Sequence, residues 1–406
     1  MKRFFGEIYS KYGQVFPVGL IFEKGYFSRS FDPKMKNLLM LYCPGNPVAF
    51  SQIYPFFFYE KEMAEQFGIS IRALPVDQYA SELVPKADVI GVQTNFSADS
   101  EYIEKLFAKI RQRNPEAKIV YFDWCAPLDL RLAEKVNPHV DLYVKRQVFR
   151  DPRRYLSSTL GDTNLVDYYS RLFNLADREQ HFEIPSDFFS KVVLGPGLLT
   201  GPYLLNAFAD RRNCSQEKTI TVHARFSCSG TPWYSAMRNS ALQACKNLRS
   251  GDAVYGNGVS RKEFLKELAQ SKMCFSPFGY GEVCWRDYEA ALYGALLLKP
   301  DMDHLKTAPD IFIKNETYVP IAWDYSDLRE KVEFYANDEH ERQRIVENAR
   351  HVLNAYVNEG GFVRQMTPVF QLARGAVVQK DWNLAYSSET IHPGEHKRAR
   401  ELEEAV

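Results

Sequence analysis

The sequence predicts an α/β protein built from two doubly wound, Rossmann-like domains that face a cleft, followed by a long C-terminal helical stretch. Three observations carry this reading. The chain has 406 residues, more than one hydrophobic core usually supports. Short apolar, β-prone runs alternate with amphipathic helical stretches, and the alternation starts afresh after a segment dense in glycine and proline. Apolar residues at 45% and charged residues at 25% fit a folded globular chain.

In the first half the predicted strands are NLLMLYC (37–43), ISIRALPV (69–76), ADVIGVQT (87–94), AKIVYFDW (117–124) and VDLYVKRQ (140–147), with helical stretches around 52–67, 99–113 and 129–136. Strands apolar on both faces and separated by helices imply a parallel sheet covered on two sides. In such sheets ligands bind beyond the carboxyl ends of the strands. The loops CPGNP (43–47), QTNFSADS (93–100), DWCAPLD (123–129) and KRQVFRDP (145–152) should therefore line one edge of the cleft.

The stretch VVLGPGLLTGP (192–202) reads as the crossing between domains. A second series follows: strands at 219–226, 252–256, 272–279, 295–300 and 316–323, with helices around 232–248, 260–271 and 285–294, and a helical stretch over 327–357. The expected boundaries are 1–190 for the first domain, 191–215 for the crossing, 216–357 for the second domain, and 358–406 for a return segment with a charged tail.

Lysine plus arginine and aspartate plus glutamate both number 51, so no global field favours nucleic acid or an anionic membrane. The seven cysteines are scattered without a CxxC pair and read as reduced thiols of a cytoplasmic protein. Glu7, Lys11, Glu23 and Lys24 interrupt the N-terminal apolar stretch, which is not that of a signal peptide. No apolar run approaches the roughly 20 residues of a membrane span, leaving at most peripheral contact with the inner face of a membrane.

The stretch SPFGYGEVCWRDYEAALYG (276–294) places a glycine-rich turn between a strand and a helix. Gly279 and Gly281 let the backbone turn tightly and approach a ligand, and the N–H groups of the helix start favour an anion. Arg286 and Glu289 share one helix face. An arginine can grip a diphosphate and a carboxylate can accept both hydroxyls of a ribose; the alternative is a surface ion pair between the two. His223 and Arg225 alternate on the strand 219–226, sharing a face at the cleft edge, or else forming a satisfied, half-buried pair.

These residues carry a resemblance. The run Ser271, Lys272, Cys274, Pro277, Gly279, Arg286, Glu289, Ala290 and Gly294 resembles the exostosin-like glycosyltransferases, and Lys299, Pro300, Val319, Pro320, Asp324, Ser326, Asp327 and Leu328 resemble the CAP10-like ones. Both patterns belong to the nucleotide-sugar-binding half of GT-B glycosyltransferases, and the likeness covers about 219–356. It implies a donor site made of His223, Arg225, Arg238, Gly279, Gly281, Arg286, Glu289 and Lys299. Simple retaining GT-B enzymes carry a glutamate directly before Pro-Phe-Gly, where this chain has Ser276. Glu282 is then the carboxylate nearest to that role, and the stereochemical course stays open.

The resemblance makes the first half the acceptor side, with Asn46, Asn95, Asp129 and Lys145 at its edge and Asp123 as first candidate for general base. The alternative for Asp123 is a helix cap or loop hydrogen bond. Asp301 and Asp303 form a DxD, but arginines and a helix start already supply the positive charge, so no metal is expected. The implied function is transfer of a sugar from a nucleotide sugar to a hydroxyl acceptor, a saccharide or lipid-linked saccharide, in bacterial surface-polysaccharide assembly. The rival readings are a transferase acting on nucleic acid or protein, with the balanced charge arguing against nucleic acid, and a non-catalytic nucleotide- or glycan-binding protein.

Overall fold

The computed structural model describes residues 31–79, 86–249 and 251–375, so the readings of the N-terminal stretch and of the charged tail lie outside the described residues. The first half runs β1 (Lys36–Tyr42), α1 (Pro47–Phe58), α2 (Glu60–Phe67), β2 (Ile69–Pro75), β3 (Val89–Val92), α3 (Ser100–Arg113), β4 (Lys118–Asp123), α4 (Ala133–Val136) and β5 (Leu142–Lys145). It continues with β6 (Gln147–Phe149), β7 (Thr159–Leu160), α5 (Asn164–Leu172), β8 (Glu179–Gln180), β9 (Val192–Leu194) and α6 (Pro202–Ala209). The strands β2-β1-β3-β4-β5-β9 form one sheet with every pairing parallel.

The local reasons are legible in the residues. Five consecutive residues of β1 are buried, as a strand covered on both faces requires. Asn46 caps α1 by accepting from the Val48 amide at 2.9 Å, and Pro47 opens the helix. Gly68 ends α2 in the left-handed region at φ 64°. β9 lies inside the expected crossing, yet its apolar Val192–Leu194 run pairs with β5 and completes the first sheet.

The second half repeats the plan with β10 (Ile220–Arg225), α7 (Pro232–Lys246), β11 (Ala253–Gly256), α8 (Arg261–Ala269), β12 (Ser271–Phe275), α9 (Trp285–Leu292), β13 (Leu296–Pro300), β14 (Leu305–Thr307) and β15 (Val319–Ile321). Its parallel sheet is ordered β11-β10-β12-β13-β15. The expected helical stretch 327–357 is two helices, α10 (Leu328–Asn337) and α11 (Glu339–Asn358). Asp338 divides them, because its carboxylate caps α11 by accepting from the Glu341 amide at 2.9 Å. The two facing parallel sheets and the closing helices are the GT-B arrangement. Among the described residues no helix is long and apolar enough to cross a membrane.

Two devices tie the halves together. β14 pairs antiparallel with β6, so a strand of each half shares a ribbon. At the other end α12 (Gly361–Gln365) and α13 (Thr367–Ala373) return to the first half. There Phe362 stands edge-on to Phe56 at 5.0 Å and stacks on Tyr59 at 5.2 Å. The Tyr59 hydroxyl donates to the carbonyl of Val357 at 2.7 Å. Because Phe362 is wholly buried, Phe362→Ala should cost about 3–5 kcal/mol, measured as a lowered midpoint of denaturant unfolding; an unchanged midpoint would mean that the return helices are not docked by this ring.

Candidate functional site

The turn after β12 is anchored from beneath by one carboxylate. Asp287, buried in the first turn of α9, accepts from Ser276 Oγ at 2.6 Å and from the Cys284 amide at 2.8 Å, and it pairs with Lys299 Nζ at 3.0 Å. Lys299 is fully buried on β13 and spends its charge there, so its role is to hold the turn rather than to reach into the cleft. Gly279 closes the turn by donating to the Gly281 carbonyl at 3.0 Å. A Cβ on Gly281 would stand 2.1 Å from the Ala126 carbonyl oxygen of the first half. Close approach of the two halves therefore requires glycine at that position.

Above this base lie two arginines without an acidic partner. Arg238 of α7 is 5% exposed, sits over the rings of Phe226 and Tyr234, and leaves Nε without a hydrogen-bond acceptor. Burial holds its basicity below the ordinary value, and the like charge of Arg286 adds to this against the opposing influence of Cys284. Arg286 donates through Nη2 to the carbonyl of Arg225 at 2.7 Å, and its Nε also lacks a partner. No carboxylate among the described residues lies within ion-pair distance of either guanidinium. Both flank the start of α9, where helix N–H groups and dipole add positive potential.

The other expected donor residues are spent differently. Arg225 makes a fork-on-fork pair with Glu267 at 2.8 and 2.6 Å, and its third nitrogen donates to the Tyr255 carbonyl at 2.6 Å. His223 is fully buried with both ring nitrogens unbonded. Burial, then the charges of Arg286 and Arg225, push its pKa down to about 3. The imidazole is neutral near pH 7, and its 3.9 Å approach to Glu267 is not an ion pair. Glu289 does not pair with Arg286 on its own helix; it is buried and bound by Arg261 from the start of α8. Arg261 was absent from the sequence reading, and its place just beyond the carboxyl end of β11 was the signal that could have found it.

Glu282 lies at the seam between the halves. Its two carboxylate oxygens accept from Gln147 Nε2 at 2.9 Å and Asn164 Nδ2 at 3.0 Å, both from the first half, while His304 stands 3.5 Å away. Burial raises its pKa, but His304 beside it and the Asn164 bond outweigh this and leave it below the ordinary 4.5. Every oxygen is engaged in holding the seam.

On the first half, Asp123 and Lys145 are neighbours across β4 and β5 and pair with each other at 2.6 Å. Asp123 also accepts from the Tyr143 hydroxyl at 2.6 Å and the Cys125 amide at 2.9 Å. Burial pushes its carboxyl up, but Lys145 and Tyr143 more than compensate and hold it below its ordinary value, which weakens it as a base. Asn46 spends its side chain on the α1 cap. Asp129 accepts three bonds from Arg131, one from its amide and two from its guanidinium, which itself lies over the rings of Phe96 and Phe182. Asn95 is exposed on the loop after β3, beside Phe96. Asp301 and Asp303 both pair with Lys314.

Residues 211–360 match the model of a family described as glycosyl transferase-like. That match spans less than half of the chain, so the second half is similar to this family over those residues, in a chain whose two parallel sheets have the GT-B arrangement. The segment resembling the exostosin-like and CAP10-like patterns lies inside that match, which itself carries only the broader family. No curated protein matches the chain. Among solved structures, an alpha-glucosyltransferase in complex with UDP and a mismatched DNA is 12% identical over 84% of this chain and 100% of that one, with a TM-score of 0.46. A glycosyltransferase from Rickettsia africae ESF-5 is 10% identical over 84% of this chain and 99% of that one, also at 0.46. A putative UDP-N-acetylglucosamine 2-epimerase from Listeria monocytogenes is 8% identical over 86% and 99%, at 0.45. Scores of this size leave the functional reading to the site itself.

The depressed pKa of Glu282 fixes the sign of one effect. Its contribution to stability is present above the ordinary glutamate pKa of 4.5 and is lost as pH falls through its lower folded value. Melting temperatures measured from neutral to acid pH should therefore fall less steeply below that point for Glu282→Gln than for the parent. Parallel curves would show that this carboxylate does not link the seam to pH.

Proposed function

We propose that the protein transfers a sugar from a nucleotide-sugar donor to a hydroxyl acceptor. The observation that carries this reading is the pair of arginines, Arg238 and Arg286, that face the start of α9 with no acidic partner, inside the segment matching the glycosyl transferase-like family. Buried positive charge without a counter-ion is costly unless a ligand supplies the anion. A diphosphate supplies it, and the two guanidiniums together with the helix start offer the charge a divalent cation would otherwise provide.

In this reading Glu289 accepts the ribose hydroxyls once Arg261, whose side chain is 52% exposed, swings aside. The bond between the anomeric carbon and the diphosphate oxygen breaks as the bond to the acceptor oxygen forms, and the acceptor's hydroxyl proton passes to an oxygen of the departing diphosphate. Arg238 and Arg286 stabilise the charge gathering on the departing diphosphate. The acceptor lies against the loops of the first half, near Asn95, and its orientation there lowers the entropic barrier. Asp123 could take the acceptor proton only after leaving Lys145 and Tyr143, so we assign the Asp123–Lys145 pair to holding the strand ends in place. Phe96 at 50% and Tyr280 at 47% exposure offer stacking faces on loops of opposite halves, which favours a saccharide acceptor. A lipid-linked glycan of a bacterial surface polysaccharide, met at the inner face of the membrane by a cytoplasmic enzyme, is the setting we propose.

A thermal-shift panel of UDP, GDP, CMP, TDP and ADP, with and without EDTA, tests this, because a ligand that binds only the folded state raises the melting temperature. One diphosphate should give a shift that survives EDTA. Arg286→Ala should weaken it by about 1.5–3 kcal/mol, roughly ten- to a hundredfold in affinity. No shift from any nucleotide, or an unchanged shift in the variant, would overturn the donor assignment.

A further inference from the structure

Arg146 directly follows β5 and precedes β6, at the carboxyl edge of the first sheet where the chain turns to meet the second half. It is 6% exposed, its Nε has no hydrogen-bond acceptor, and no carboxylate among the described residues lies within ion-pair distance. The neighbours it feels most strongly are Tyr288 of α9 and Cys125 of its own half, followed by Cys284 just before α9 and by Asp123, while the adjacent Gln147 bonds Glu282 across the seam at 2.9 Å. Asp123 is already taken by Lys145. Arg238, from the opposite side, feels the same Cys284. A third arginine without a counter-ion, buried like Arg238, thus lies near the start of α9, and this one comes from the first half.

We propose that Arg146 is the first half's own ligand to the donor diphosphate, meeting Arg238 and Arg286 across the seam. The inference rests on the donor reading above and adds to it: the anion is gripped from both halves, so donor binding draws the cleft shut where the acceptor must arrive. An arginine kept for architecture would be expected to find a carboxylate or several carbonyls. This one is bordered by a thiol and a phenol, groups that leave its charge uncompensated until an anion enters. Burial depresses its basicity further, in the direction expected of a cation with no partner.

The two roles differ in sign for the ligand-free protein. With inorganic pyrophosphate as probe, full-length parent, Arg146→Met, Arg146→Lys and Arg286→Ala are compared by thermal shift and calorimetry. The expected result is that Arg146→Met melts no lower than the parent without ligand, since an uncompensated charge has been removed, yet binds pyrophosphate about ten- to a hundredfold more weakly. Arg146→Lys should recover part of that loss. Parent-like pyrophosphate binding by Arg146→Met, while Arg286→Ala loses it, would overturn this inference and leave the donor reading standing. A lowered melting temperature or failure to fold in both Arg146 variants would assign the residue to architecture and overturn it as well. No pyrophosphate binding by the parent would remove both readings.

Discussion

The buried pair of Asp287 and Lys299 is the interaction on which the rest of the site depends. One carboxylate joins the end of β12 through Ser276, the strand β13 through Lys299 and the first turn of α9 through the Cys284 amide. A buried ion pair contributes little net stability over a well-packed apolar substitute, but removing one partner strands the other charge. Its value here is geometric. It fixes the glycine turn and the start of α9 relative to the sheet, and Arg238 and Arg286 are then held over that start with their charge unspent.

The seam sets the second constraint. Gly281 lets the Ala126 carbonyl approach, Glu282 binds Gln147 and Asn164, and β14 joins β6 a few residues along. The same turn that faces the ligand therefore also carries the contact between halves. Three consecutive roles, anchoring, closing and binding, fall within residues 276–289. A change in this turn is felt on both sides of the cleft at once.

The architecture was legible because it rests on local signals. Doubly apolar strands, the Asn46 cap and the glycine punctuation around residue 280 mark elements without knowledge of what packs on them. Arg286 stands out locally, on the helix after the glycine turn, whereas Arg238 lies inside α7 and is marked only by the family resemblance. What burial does to a charge was not. Lys299 reads as a cleft residue until β13 is seen to be covered on both faces. The partners of Arg225 and Glu289 stand 42 and 28 residues away, on α8, and no periodicity reports such pairings. Asp123 and Lys145 meet only through the register of β4 against β5, which the sequence does not state. Glu282 looks like a free carboxylate in a loop, and only the approach of the first half shows where its oxygens go.

The central claim is that guanidinium charge without a carboxylate partner at the start of α9, buried at Arg238 and half-buried at Arg286, is the donor's anion site. The most direct measurement is a crystal structure of the protein with the nucleoside diphosphate that raises its melting temperature most. The account predicts the diphosphate at the N-terminus of α9, with its oxygens within hydrogen-bond distance of Arg238 and Arg286 and no metal ion between them. A diphosphate bound elsewhere, with both arginines found paired to carboxylates, would contradict it.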